Sequence, residues 1–221
     1  MRIIIISILV SGSIFAQGFL HNMDGEVVDG NGEPILLRGF GLGGWLVPEG
    51  YMLHNQAWIE GFESPTDIEN HVIDLIGQGE ANEFWELYRA NYVAQADIDK
   101  IAEWGFNHIR VPFHYKQFYD STGTETPIGY AIVDELITWC QPHNIYIILD
   151  MHCAPGAQNG GPISDSDGIA RLWLEDNYKE LTIQIWKEIA TYYADHTLIA
   201  GYDLINEPVL PSGVYLEYFK Q

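Results

Sequence analysis

Apolar residues recur along this chain in a rhythm that predicts strand then helix, four times over. The clearest strand is the last. Ile199-Ala200-Gly201-Tyr202-Asp203-Leu204-Ile205 is close to a continuous apolar run, as a parallel strand buried on both faces requires, and it ends in the polar pair Asn206-Glu207 before Pro208. Residues 36–40, 106–112 and 145–150 predict three earlier strands, the second stopped by Pro112. Ahead of them, Glu26-Val27-Val28 and Pro34-Ile35-Leu36-Leu37 flank Asp29-Gly30-Asn31-Gly32, a hairpin signal because Asp-Gly and Asn-Gly tolerate the positive φ of tight turns.

Helical spacing fills the gaps. Residues 64–93 predict two helices broken at Gly77 and Gly79, with Thr66 and Glu69 spaced as a capping box and Ile68, Val72, Leu75 and Ile76 as the buried stripe. Residues 94–104 place Ile98, Ile101 and Ala102 on one face, and Gly105 suits the stop. Residues 128–140 carry Ile132, Val133, Leu136 and Ile137, and residues 171–194 carry Leu174, Ile183, Trp186, Ile189 and Ala190. The loop 157–168 is rich in Gly, Ser and Asp. Its Asp165-Ser166-Asp167-Gly168 run reads as a solvated turn, since the spacing and closing glutamate of a calcium loop are absent. Alternating strands and helices imply a parallel sheet with helices outside. A closed (β/α)8 barrel needs about 250 residues. Four βα units in 221 residues therefore read either as the first half of such a barrel, the favoured reading, or as a smaller open sheet. Tyr215, Leu216, Tyr218 and Phe219 look like the start of another helix.

Charge narrows the function. A formal net charge of -21, from 31 acidic and 10 basic residues, argues against nucleic acid or an anionic membrane surface, both of which demand a basic footprint. A neutral sugar polymer is compatible with it. Residues 1–16 read as a signal peptide: Arg2 supplies a positive start, an apolar stretch follows, and Ala16 offers a small residue for cleavage. The mature domain is then 17–221, secreted or periplasmic, and free of the membrane after cleavage. Cys140 and Cys153 stand at opposite ends of a predicted strand, too far apart to bridge, and are expected as free buried thiols.

The polar residues at the strand ends are Arg110, His152, Asn206 and Glu207, with His114 just beyond. Parallel neighbouring strands bring them to one rim, where barrels place their chemistry. A carboxyl in apolar surroundings serves as a general acid, an Asn beside it donates to a substrate hydroxyl, and an arginine keeps a second carboxylate ionised. That is equipment for glycoside hydrolysis by two carboxylates. Arg110 also has a structural reading, as a partner for Asp150, and His108 is read as structural. Asp150, His152 and His114 offer metal-ligand chemistry, but with no His-x-His and no HExxH among scattered ligands no metal site is expected. Trp45, Tyr51, Trp58 and Trp173 lie in or beside loops. Trp45 or Trp58 is the expected sugar platform, although aromatics more often cover core.

Four ordered segments, Arg38-Gly39-Phe40-Gly41-Leu42-Gly43-Gly44-Trp45-Leu46-Val47, Gly105-Phe106-Asn107-His108-Ile109-Arg110-Val111-Pro112, Leu149-Asp150-Met151-His152-Cys153-Ala154-Pro155-Gly156-Ala157-Gln158-Asn159-Gly160 and Leu204-Ile205-Asn206-Glu207-Pro208, resemble glycoside hydrolase family 5. The resemblance implies a (β/α)8 barrel that hydrolyses O-glycosidic bonds of β-glucan polysaccharides or oligosaccharides with retention and without a cofactor. It implies Glu207 as acid/base, Asn206 on the sugar 2-hydroxyl, Arg110 orienting the nucleophile, and His152 lining the subsite at the cleaved bond; His114, by its place at the same rim, and Trp45, as a loop aromatic, are further expected substrate contacts. The family's nucleophile is a second glutamate on the seventh strand. Nothing here matches it, since Glu217 is too close to Glu207 to sit on another strand. The chain is therefore expected to be inactive alone. The stretches around Trp45 and His152, and the Gln158-Asn159-Gly160 loop, are similar to fungal exo-β-1,3-glucanases, whereas the overall style is closer to secreted bacterial β-glucanases, including cellulases. A β-1,3-specific exo-glucanase is thus one alternative, and a non-catalytic carbohydrate-binding barrel is another.

Overall fold

The computed structural model describes residues 18–53, 61–120 and 122–211. The signal segment 1–16, Trp58, the helix expected near 215–219 and Glu217 lie outside the described residues.

Near the amino end, β1 (His21–Met23) and β2 (Glu26–Val28) pair antiparallel. The expected turn at 29–32 is also present, with Gly32 N donating to Asp29 O and Val28 bridging Pro34, but the regular hairpin closes one turn earlier, over Asp24-Gly25. Four strands then form one parallel sheet in sequence order: β3 (Gly39–Gly41), β4 (His108–His114), β5 (Tyr146–Cys153) and β6 (Ile199–Asp203). Between β3 and β4 lie α1 (Gly50–Leu53), α2 (Pro65–Ile76), α3 (Gln78–Tyr92) and α4 (Gln95–Glu103); α5 (Ile128–Cys140) and α6 (Asp176–Tyr192) connect the later strands. Four parallel strands in order 3-4-5-6, joined by three helical connections among the described residues, are the opening part of a (β/α)8 barrel.

Side chains alternate across each strand. Ile109, Val111 and Phe113 of β4 and Ile147, Leu149 and Met151 of β5 join one buried core with Leu136, Ile185 and Ile189 of the outer helices. The opposite face carries Arg110, Asp150 and His152 into the barrel interior. Gly39 is required where β3 meets β4, because a Cβ there would stand 1.8 Å from the His108 carbonyl oxygen.

Several local expectations are corrected. Pro112 does not end β4; it pairs with Asp150 inside it. Its neighbours on that edge show why. Arg110 O accepts from Leu42 N, and His114 N donates to Leu46 O, so Pro112 faces the gap where the Gly43-Gly44-Trp45 loop leaves the ladder and no donor is needed. The capping box of α2 is Ser64 with Asp67, not Thr66 with Glu69. Leu75, Ile76, Leu174 and Ile183 are exposed, since outer helices bury only the stripe facing the sheet. Residues 171–194 are not one helix. Arg171–Trp173 is a separate 3-10 turn, anchored by Trp173 Nε1 donating to Gln158 O at 2.7 Å. Cys140 and Cys153 are free and buried, as expected.

Candidate active site

Four expected residues converge at the carboxyl ends of β4, β5 and β6. Arg110 donates from Nε and Nη2 to Asp203 Oδ2 (3.1 and 2.8 Å) and from Nη2 to Asn206 Oδ1 (3.0 Å). The same Nη2 lies 3.0 Å from Asp150 Oδ2. His152 Nδ1 donates to Asp150 Oδ2 at 2.7 Å, and its Nε2 faces Asn206 Nδ2 at 3.2 Å. These bonds agree on one arrangement. The proton sits on His152 Nδ1, Nε2 accepts from Asn206, and the Asn206 carbonyl accepts from Arg110. The structural reading of Arg110, as a partner of Asp150, therefore holds beside the functional one. Burial pushes the Asp150 carboxyl upward, and the bonds from His152 and the Arg110 charge oppose that.

Glu207 follows on an exposed turn with φ +44°, a left-handed conformation that a non-glycine residue holds only when its surroundings enforce it. Two side chains from the loop after β5 do so. The buried Gln158 donates from Nε2 to His152 O (2.6 Å) and Asn206 O (2.9 Å) and accepts from Ala154 N. Asn159 Nδ2 donates to Glu207 O at 3.0 Å. Val209 N returns to Gln158 O. The Gln158-Asn159 pair thus stitches the exit of β6 to the exit of β5, a role the sequence pattern did not disclose.

Glu49 was missed as a site residue. It is 3% exposed, with Oε1 3.7 Å from His152 Nε2. Burial raises its carboxyl pKa; His152 opposes the shift, and the Glu207 and Asp150 charges add to it. A lone acid after Leu46-Val47-Pro48, in a loop leaving a barrel strand, was the available signal. Tyr51 stands close by. Its phenol is pushed up by burial and by Glu49 and Glu207, while the residue is 43% exposed.

Two expected substrate contacts are corrected. Trp45 is 3% exposed, belongs to the core cluster and donates its indole N–H to Arg89 O at 2.8 Å, so no ring face is open to a sugar. His114 is also buried. A register shift between Phe113 and His114 turns it out of the barrel interior, as bulges do. Its Nδ1 accepts from Lys116 N, and its Nε2 donates to Asp165 Oδ2 at 2.9 Å. Asp165 is no solvated turn residue. Its carboxylate is buried and also takes Thr66 N, Thr66 Oγ1 and Lys116 Nζ, tying the loop after β5 to the start of α2. Among the described residues no cluster of three His, Cys, Asp or Glu side chains forms a metal site.

A family model described as Cellulase (glycosyl hydrolase family 5) matches residues 67–214. Among curated proteins, a Beta-xylosidase of Phanerodontia chrysosporium is 35% identical over 190 residues, covering 84% of this chain and 38% of that protein. A Probable glucan 1,3-beta-glucosidase A of Aspergillus niger is 27% identical over 180 residues, covering 81% and 42%. The rutinosidase structure from Aspergillus niger matches with a TM-score of 0.66 at 23% identity, over 78% of this chain and 49% of that one, a likeness of fold alone. This chain spans about two fifths of the length of the curated relatives it matches.

Proposed function

The chain belongs to glycosyl hydrolase family 5, and we propose that it carries the acid/base half of a retaining β-glucan hydrolase. The observation that carries this reading is the Asn206-Glu207 pair at the mouth of β6, with Asn206 held on both sides by Arg110 and His152. An amide nitrogen has two hydrogens. One Asn206 hydrogen is given to His152, and the other is free to meet a sugar 2-hydroxyl. Glu207 donates its proton to the glycosidic oxygen as the carbon–oxygen bond breaks. A second glutamate, which the family places on the seventh strand and which has no match among these residues, attacks the anomeric carbon to form a glycosyl ester. Glu207, now a carboxylate, takes a proton from water, and that water displaces the ester. The retaining mechanism needs the two carboxyls ~5–5.5 Å apart. Arg110 positions that second carboxylate, and His152 and Glu49 line the subsite at the cleaved bond. Tyr51 replaces Trp45 as the aromatic wall.

The substrate reading rests on the relatives' names. Several are called glucan 1,3-beta-glucosidase, which supports terminal β-1,3-linked glucose over a β-1,4 chain. The 35% identical relative called Beta-xylosidase supports β-xylosides as a second substrate. We read residues 1–16 as an export signal and the protein as secreted or periplasmic.

The test uses the chain as it stands and the chain continued through the rest of its reading frame, assayed on laminarin, soluble β-1,4-glucan and aryl β-glucoside and β-xyloside. Turnover by the continued chain alone, lost in Glu207→Gln, is the expected result. Binding without release of reducing ends in both would sink the hydrolase reading and leave a carbohydrate-binding barrel.

A further inference from the structure

A pocket of about 320 Å³ lies on the outer side of the barrel, between α2, α3 and the first residue of α5. Its wall is Trp85, and around the ring stand Glu69, Gln78, Asn82, Glu86 and Arg89. None of these belongs to the Glu207 cluster.

Gln78 Nε2 donates to Asn82 Oδ1 at 2.9 Å on the exposed side of the pocket, and one polar group beneath them is uncommitted. Among the described residues, the Trp85 indole N–H is buried with no acceptor. Among the described residues neither the Glu69 carboxylate nor the Arg89 guanidinium forms an ion pair or a side-chain hydrogen bond, though each faces the other's charge. Both are half-buried: burial pushes Glu69 up against the Lys116 and Arg89 charges, and pushes Arg89 down against the charges of Glu69 and Glu86. A buried polar group without a partner, as the Trp85 N–H is here, is costly, and such a group in a native protein has a reason. The set contains donors (Trp85, Arg89), acceptors (Glu69, Glu86) and amides that do both (Gln78, Asn82), arranged about an aromatic ring. An aliphatic ligand leaves them unmet. A neutral polyol, whose hydroxyls both donate and accept, suits this mixture beside an aromatic ring, and the volume falls within the range of small-molecule pockets.

We propose that this pocket is a second glycan-binding site, separate from the cleft at Glu207, which holds one or two sugar units of a gluco-oligosaccharide. The inference rests on the β-glucan reading for its ligand class. It also has a mechanical link to the cleft. Arg89, whose side chain lines the pocket, accepts the Trp45 indole N–H at its carbonyl, and Tyr88 OH donates to Gly44 O. A chain held on α3 therefore bears on the loop that carries Glu49.

The experiment is calorimetric titration of the full chain with a β-1,3-linked glucose pentamer. Three variants accompany it: Trp85→Phe, which keeps the ring and removes the N–H; Gln78→Ala/Asn82→Ala, on an exposed helix face; and Asn206→Ala in the cleft. Binding that survives Asn206→Ala and weakens about fivefold to tenfold in each pocket variant is the expected result. Binding that disappears in Asn206→Ala and is unchanged in the pocket variants overturns the second site while leaving the proposed cleft intact. No binding by any form also overturns it, and the hydrolysis assay on the continued chain then judges the cleft separately.

Discussion

Asn159 donates its side-chain amide to the carbonyl oxygen of Glu207 at 3.0 Å, and Glu207 holds φ +44°. The two facts belong together. A left-handed glutamate stores backbone strain, and a hydrogen bond from the neighbouring strand's loop keeps it there.

Asn159→Ala should therefore act on rate more than on binding. A displacement of about 1 Å at the proton donor costs up to ~100-fold in rate. Steady-state kinetics on the complete barrel should show kcat falling at least tenfold by that measure with KM little changed. An equal loss in both Asn159→Ala and Asn159→Asp would support the bond, since an ionised Asp has no hydrogen to donate.

Glu207→Gln removes the transferable proton but keeps the shape. General acid catalysis contributes ~10²–10⁴-fold, and kcat/KM on glucan should drop within that range. An aryl glucoside whose leaving group needs no proton should lose far less in the glycosylation step. Equal losses on both substrates would mean that Glu207 is not the acid.

Glu49 is buried beside His152 with its carboxyl pKa raised above the ordinary 4.5. For a group raised on folding, stability is complete below the unfolded pKa and is lost as pH rises through the folded one. Glu49→Gln should thus melt higher than the wild type at pH 8, with the gap closing below about pH 4.5, while affinity for oligosaccharide falls. Urea denaturation at several pH values would check the first part, and an unchanged gap across pH would refute it.

Asp165 behaves in the opposite sense. Burial alone would push its carboxyl up, but the bond and charge of His114, the Lys116 charge and the Thr66 bond hold it well below the ordinary value. Its contribution is present above the unfolded pKa near 3.8 and is lost as pH falls through the folded pKa. Burial also keeps His114 below its ordinary 6.5, so the unfolded chain takes that proton first and stability begins to fall below about pH 6.5. Asp165→Ala, which breaks a buried pair, should cost about 3 kcal/mol at pH 7 and progressively less below pH 4. Chemical denaturation at pH 7, 5 and 3 would read both slopes.

Much of the fold is written locally. Residues 128–140 form a helix with the expected bounds because Val133, Leu136, Ile137 and Cys140 recur at helical spacing and are buried. Strand order follows from alternation, since each helix must return the chain to the same edge of a growing parallel sheet. Once the strands are parallel, Arg110, His152, Asn206 and Glu207 must share a rim, and they do.

What local pattern could not carry was the destination of polar groups whose partners lie far along the chain. Thr66 and Asp165 are 99 residues apart and Arg110 and Asn206 are 96 apart, so composition alone made Asp165 a surface turn. A bulge of one residue decided that His114 leaves the barrel interior, and packing under α3 decided that Trp45 is core and not platform. Periodicity determines which face of an element is apolar, and by itself it determined the βα succession and the rim. Only the tertiary structure decided which polar side chains are desolvated against one another, because that depends on which elements pack together, and it thereby brought Glu49 against His152 and Asn159 against the Glu207 backbone.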